Sequence, residues 1–145
     1  MAEYIPSPRE WVRDQVELYE RSGGTEGTTL RDTGLPVIIV THTGNKTGAI
    51  RKTPLMRVTD GANYILVGSM GGAPTHPVWV YNLRANPRAH IELGRKSFDV
   101  TARELPPAER ADVVPKLTAE VSAFAEYQAR TSRVIPIFEL VPDER

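Results

Sequence analysis

Two glycine-bracketed stretches carry the side chains of this 145-residue chain that are best suited to chemistry. The first reads Thr43-Gly44-Asn45-Lys46-Thr47-Gly48-Ala49-Ile50-Arg51-Lys52-Thr53-Pro54-Leu55. Its glycines permit a tight turn with close backbone approach, and successive N–H groups in such a turn can form a concave anion nest. Lys46, Arg51 and Lys52 add charge-assisted contacts, with arginine suited to gripping a phosphate through two parallel hydrogen bonds. An ordinary hairpin with a basic, solvated tip accounts for the same residues, and composition alone weighs the two readings evenly. A nucleotide triphosphatase is disfavoured, because no G-x-x-x-x-G-K-[ST] spacing occurs and a strand follows instead of a helix.

The second stretch is Ser69-Met70-Gly71-Gly72-Ala73-Pro74-Thr75-His76-Pro77-Val78-Trp79-Val80-Tyr81-Asn82. A strand ends there in a glycine loop and a helix begins, so unpaired N–H groups at the helix start can hold a carbonyl or an anionic ring. Trp79 and Tyr81 offer flat apolar surface, and Asn82 offers both a donor and an acceptor. The plainer reading makes Trp79 and Leu83 the core face of a short helix. His42, His76 and His90 show no i, i+4 pairing and no H-E-x-x-H, and the chain has no cysteine, which argues against zinc. His76 reads as a helix-cap residue. There is no G-x-S-x-G either. A chain without an obvious nucleophile or general base fits an enzyme whose cofactor supplies the chemistry.

Charge points the same way. The chain has 18 basic and 18 acidic residues, yet between Thr33 and Ile91 the sole carboxylate is Asp60, against Lys46, Arg51, Lys52, Arg57, Arg84 and Arg88. Buried strands explain missing carboxylates but not the cations left behind. A region that receives an anion explains both. Zero net charge gives no reason to expect a nucleic-acid partner.

The elements that must position these residues follow from periodicity and punctuation. Residues 7–21 read as a helix, with Ser7-Pro8-Arg9-Glu10 as a capping box, and the polar run 22–29 as a flexible loop. Strands are expected at 35–41, 49–59 (with Pro54 marking an edge or bulge), 63–69, 89–93, 97–105 and 134–141. A short helix is expected at 76–85, and a longer one from Pro106 to about Arg130, kinked at Pro115. Short, hairpin-linked strands favour an antiparallel barrel over a doubly wound parallel sheet. The expected division is residues 1–28 as N-terminal helix and loop, and 29–145 as the barrel domain. No apolar run approaches a membrane span and the N-terminus lacks a signal-peptide pattern, so a cytoplasmic address is expected.

The ordered segments G-N-K-T-G-x-x-R-x-T-P-L, L-V-G-S-M-G-G-A and H-P-V-W-V-Y-N-L-R-A-N-P, with T-A-R-E-L, E-R-A and the closing Y-Q-x-R-T-x-R-x-I-P-I, resemble the deazaflavin-dependent nitroreductase family. The similarity runs from about Thr29 to the C-terminus. It implies a split β-barrel of the FMN-binding-like type, mainly β with flanking helices and six or seven antiparallel strands. It also implies coenzyme F-420, a deazaflavin with a phosphodiester and oligoglutamate tail, and reduction of quinones and, in some members, nitroaromatics; the two-electron chemistry of a deazaflavin adds activated alkenes as acceptors. Carried over by position, Asn45, Lys46, Thr47, Arg51 and Lys52 would grip the cofactor's phosphate and tail. Thr53, Pro54, Leu55 and Met56 would line its ring. Val67, Gly68, Ser69 and Met70 would contact its polar edge, with Val78, Trp79, Val80, Tyr81 and Asn82 closing the pocket. Phe124 and Tyr127 would reach in from the C-terminal helix. Met70 stands where a lysine can follow the serine, and Met56 replaces an aromatic. Cofactor class therefore carries over better than substrate.

On this reading a hydride passes from reduced F-420 to a planar acceptor, with Ser69 bonded to a substrate oxygen and Tyr127 as donor or proton relay. Split barrels host several ligands, so a non-catalytic carrier of F-420, FMN or haem is the rival, with FMN the less favoured flavin because its single phosphate needs a less basic groove. A third reading uses helix 7–21 as an interfacial membrane anchor. Its acidic balance suits anionic lipid poorly. Either a monomer or a homodimer is compatible with the sequence.

Overall fold

A computed structural model describes residues 3–30, 34–69, 75–121 and 124–143. Helix α1 spans Glu10–Arg21, strands β1 to β4 span Val37–Thr43, Ile50–Met56, Val58–Asp60 and Asn63–Val67, and helix α2 spans Val78–Ala85. Strands β5 and β6 (Arg88–Leu93, Lys96–Glu104), helices α3 and α4 (Pro107–Glu120, Phe124–Ala129) and strand β7 (Ile137–Pro142) complete the chain.

Among the described residues, seven strands join one antiparallel sheet in the order β2-β1-β5-β6-β7-β4-β3. Its outermost strands, β2 and β3, are joined by the single residue Arg57. A flat sheet of seven strands would hold those edges more than 25 Å apart at about 4.8 Å per strand. The sheet therefore curls back on itself, and the result is the expected split β-barrel.

Strand alternation sorts the side chains into an inside and an outside. Ile38, Val40, Leu66, Ile91, Val100, Phe138 and Leu140 fill the barrel interior, where Trp79, Val80 and Leu83 of α2 join them. Their neighbours point outward: Val37 and Ile39 pack under Val16 and Tyr19 of α1, and Ile65 and Ile137 under Leu117 of α3, Val121 just beyond its end and Phe124 of α4. Among the described residues no helix is long and apolar enough to cross a membrane.

Three expected elements are redrawn. The strand 49–59 is two strands, because Arg57 leaves the β2 ladder and gives its N–H to Pro36 O at 2.8 Å, where the chain crosses from one sheet edge to the other. Pro54 sits on an edge strand, as expected, opposite Ile39. Helix α1 starts at Glu10 and its N-cap is Arg9. Pro8 biases Ser7 away from helical backbone, and the Ser7 hydroxyl accepts the Arg9 N–H at 3.2 Å instead of closing a capping box. The long C-terminal helix is divided after Glu120, where Val121 leaves the helical region at φ −124° and ψ 85° with its side chain buried in the outer cluster. Pro115, the expected kink, lies inside α3.

Candidate functional site

The turn between β1 and β2 closes on itself through three hydrogen bonds. Gly44 N–H reaches Ala49 O (2.7 Å), Gly48 N–H reaches Gly44 O (2.9 Å), and Ala49 N–H reaches the Thr47 hydroxyl (3.2 Å). Gly48 adopts φ +74°, which a side chain would disfavour. The Asn45 N–H is taken by Asn82 Oδ1 of α2 at 2.9 Å. Among the described residues, the Lys46 and Thr47 N–H groups are left unbonded at the exposed tip. The nest is thus narrower than the full run of residues suggests.

Behind the turn lies a buried polar chain that the sequence reading did not anticipate. Asn82 Nδ2 stands 3.0 Å from His42 Nδ1, and His42 Nε2 stands 2.9 Å from Thr53 Oγ1. His42 is 4% exposed and Asn82 1%. Burial, and secondarily the Arg51 charge opposite it in the β1–β2 register, lower the imidazole pKa to about 4. His42 is therefore neutral at pH 7. The register was the available signal: His42 falls on the inward-facing positions of β1 with Ile38 and Val40.

The same register divides the predicted β2 residues. Arg51, Thr53 and Leu55 pair with His42, Val40 and Ile38 and share the inner face, whereas Lys52, Pro54 and Met56 pair with Thr41, Ile39 and Val37 on the outer one. Lys52 is ion-paired to Glu20 of α1 at 2.5 Å and lies over the Tyr4 ring. Met56 packs with the α3 and α4 cluster. The cations of the carboxylate-poor window divide likewise. Lys52 pairs with Glu20, Arg84 with Glu104 and Arg88 with Asp143, while Lys46, Arg51 and Arg57 have no ion pair among the described residues. Arg57 lies at the far end of β2 from the turn.

The end of β4 forms the third part. Gly68 passes so close to α2 that a Cβ there would lie 2.9 Å from Val80 Cγ2. Arg133 binds this end through its guanidinium: Nη1 donates to Gly68 O (3.0 Å), Nη2 to Ser69 O (2.7 Å), and Nη1 stands 2.7 Å from His76 Nδ1. Gln128 accepts from Arg110 and from the Ile135 N–H and donates to Arg133 O, tying α3 and α4 into the same network.

A family model described as F-420H(2)-dependent quinone reductase matches residues 11–142. The chain belongs to that family. An F-420H(2)-dependent quinone reductase of Mycobacterium tuberculosis is 38% identical over 129 residues, covering 85% of this chain and 84% of the relative. A solved chain described as a domain-swapped dimer is 41% identical with a TM-score of 0.69, covering 92% of this chain and 99% of that one. A solved structure described as an F-420-H2 dependent reductase is 42% identical with a TM-score of 0.67, covering 72% and 93%. The chain is thus an oxidoreductase, and its cofactor is coenzyme F-420.

Against that cofactor, the structure brings together Asn45, Lys46, Thr47, Arg51, Thr53 and Asn82 around one turn. Asn82 is spent on holding that turn and His42. Trp79 and Val80 are buried in the barrel interior, Trp79 edge-on to Phe138, while Val78 is 71% exposed and Tyr81 stacks obliquely near His76. Ser69 is buried. Val67, Phe124 and Tyr127 belong to the outer cluster beneath α3 and α4 and are not gathered with the turn. Met70 lies outside the described residues.

Proposed function

We propose that this reductase seats the anionic tail of F-420 on the Lys46–Thr47 turn beside Arg51, with the ring next to the half-buried Thr53 of the same strand, since Leu55 further along is packed into the barrel interior. The observation that carries this reading is the sorting of charges: three window cations are neutralised by the protein's own carboxylates, whereas the two flanking the glycine turn are left for an external anion. A basic turn with two free N–H groups fits a phosphodiester and a polycarboxylate tail. When bound, the reduced cofactor supplies a hydride. The chain's own part is to orient the acceptor, exclude water and stabilise the negative charge that develops on it.

The substrate in this reading is a quinone, supported by the family description; nitroaromatics and activated alkenes are the other acceptors to assay. Ser69 is the candidate donor to the acceptor's oxygen; Tyr127, which lies in the outer cluster and not with the turn, is the candidate proton source only for an acceptor bound on that side. A homodimer is included in the proposal, supported by the likeness to a chain described as a domain-swapped dimer. Light scattering tests it.

The binding site is tested by titrating F-420 into Lys46→Gln/Arg51→Gln at several salt concentrations. We expect affinity to drop roughly tenfold or more, equivalent to about 1.4 kcal/mol, with a shallower salt dependence. Unchanged affinity and salt response would remove the turn from the cofactor site. Turnover of menadione by Ser69→Ala and Tyr127→Phe assigns their roles, and unaltered rates would strike both from the chemistry.

A further inference from the structure

The polar chain Asn45–Asn82–His42–Thr53, buried at its two central members, has one consistent assignment of protons. The Asn45 backbone N–H can only donate, so the Asn82 atom facing it is the carbonyl oxygen, as found at 2.9 Å. The Asn82 amide nitrogen is thereby committed to His42 and must donate to its Nδ1. A ring accepting at Nδ1 carries its proton at Nε2, and that proton goes to Thr53 Oγ1. The threonine oxygen is then an acceptor inside the protein, and its own proton has no acceptor among the described residues. Thr53 is half-buried on the inner face of β2, one position along that face from Arg51. With His42 and Asn82 almost sealed from solvent, water cannot easily substitute for either link.

We propose that His42 and Asn82 are positioning residues: they lock the Thr53 hydroxyl as a hydrogen-bond donor toward an acceptor atom of the group bound on the inner face of β2, and hold it in fixed register with the anion-binding turn. The acceptor is a carbonyl oxygen or an unprotonated ring nitrogen, since either takes a hydrogen bond that a methyl group at this position could not give. The inference rests on the location of the cofactor proposed above and adds to it a source of orientation. One end of the relay sets the backbone that meets the tail, and the other sets the donor that meets the ring. Two residues 37 positions apart in sequence, Asn45 and Asn82, are thereby made one unit with Thr53. Among the described residues, Arg51 is the charged group facing His42, and the side chains it contacts on β2 and α2, Thr53 and Asn82, are neutral.

The test is a double-mutant cycle read as F-420 affinity, using Thr53→Val and His42→Phe. Each substitution is expected to weaken binding about fivefold to tenfold, and the double variant to be no weaker than either alone, because both remove the same donor. Thr53→Ser should restore affinity, and His42→Gln should restore most of it, since its amide can still donate to Thr53. Fully multiplicative losses, or Thr53→Val binding as wild type does, would overturn the relay. The Lys46/Arg51 variants report on cofactor location separately, so a failure here with a loss there condemns the relay alone. If His42→Phe does not fold, 15N NMR of the wild-type imidazole decides. A neutral ring protonated at Nε2 at pH 7 is expected, and an Nδ1-protonated ring or an imidazolium would refute the assignment.

Discussion

His42 and Glu92 titrate in opposite senses across the same acidic range. Burial lowers His42 to about 4, below its ordinary 6.5. Between those values the unfolded chain binds the proton and the folded one does not, so this contribution is complete above pH 6.5 and is lost as pH falls towards 4. Burial and hydrogen bonding with Glu20 raise Glu92 to about 7 from 4.5, so its contribution is complete below 4.5 and is lost as pH rises through 7, diminished by solvent exposure. The neighbouring Glu20 moves down: burial opposes the shift, and hydrogen bonds from Glu92 and Lys52 outweigh it. Subtraction separates the histidine from these carboxylates. Urea unfolding at pH 7 and pH 4.5 should show wild type losing about 2–3 kcal/mol more than His42→Gln over that interval. Equal losses in the two proteins would mean that His42 is not held neutral by the fold. His42 lacked any motif around it, and its meaning came from partners 11 and 40 residues away.

At the scale of elements, the proposed site is a junction of β1, β2, α2 and the end of β4, and Arg133 ties that last part down. Its partners Gly68, Ser69 and His76 lie 57 to 65 residues earlier in the chain. The motif containing Arg133 was visible in the sequence, but its partners were not. Lysine lacks the planar fork that serves two carbonyls at once. Arg133→Lys should therefore lower stability by about 1–3 kcal/mol, because buried carbonyls lose a charged donor. It should also reduce kcat/KM for menadione by loosening the position of Ser69. Calorimetry and steady-state assays check both, and a variant matching wild type in each would show that the clamp is dispensable. Elements were legible where periodicity was strong, as in α1, α2 and the β5–β6 hairpin. They were misjudged where tertiary contact overrode it, at Arg57 and at Val121, and the first turn of α1 was misjudged because Pro8 keeps Ser7 out of the helix.

For the whole molecule, the decisive fact is that the sheet is covered on both outer sectors. Val37 and Ile39 lie beneath α1, and Ile65 and Ile137 beneath α3 and α4. The segment before residue 29 is built into this cover. Tyr19 seals against the β5–β6 hairpin, its hydroxyl accepting the Gly94 N–H at 2.6 Å, and Ile5 N–H reaches Ile50 O at 3.0 Å. A chain beginning at residue 29 would expose β1 and leave Lys52 without Glu20. It should lose cooperative unfolding or aggregate, as read by denaturation and light scattering. A truncated chain with the stability of wild type would make residues 1–28 an independent appendage. The apolar face of α1 is already occupied by Val37 and Ile39, which leaves little of it to enter a lipid surface.

What could be read from the chain alone was chemistry of a local kind. Strand alternation, glycine turns and Pro54 marked an antiparallel barrel, and the ordered motifs and the scarcity of carboxylates marked a cofactor with an anionic tail. These signals survive in one dimension because they depend on neighbours a few residues apart. The pairing of charges could not be read in that way. Lys52 and Arg51 are adjacent in sequence, yet they lie on opposite faces of β2, one in a salt bridge with α1 and the other facing His42. Packing of α2 against the β1–β2 hairpin likewise brought His42, Thr53 and Asn82 into one polar chain. Only the folded sheet decides which side chain meets which, because hydrogen bonds and ion pairs act over ångströms, and separation along the chain does not measure that distance.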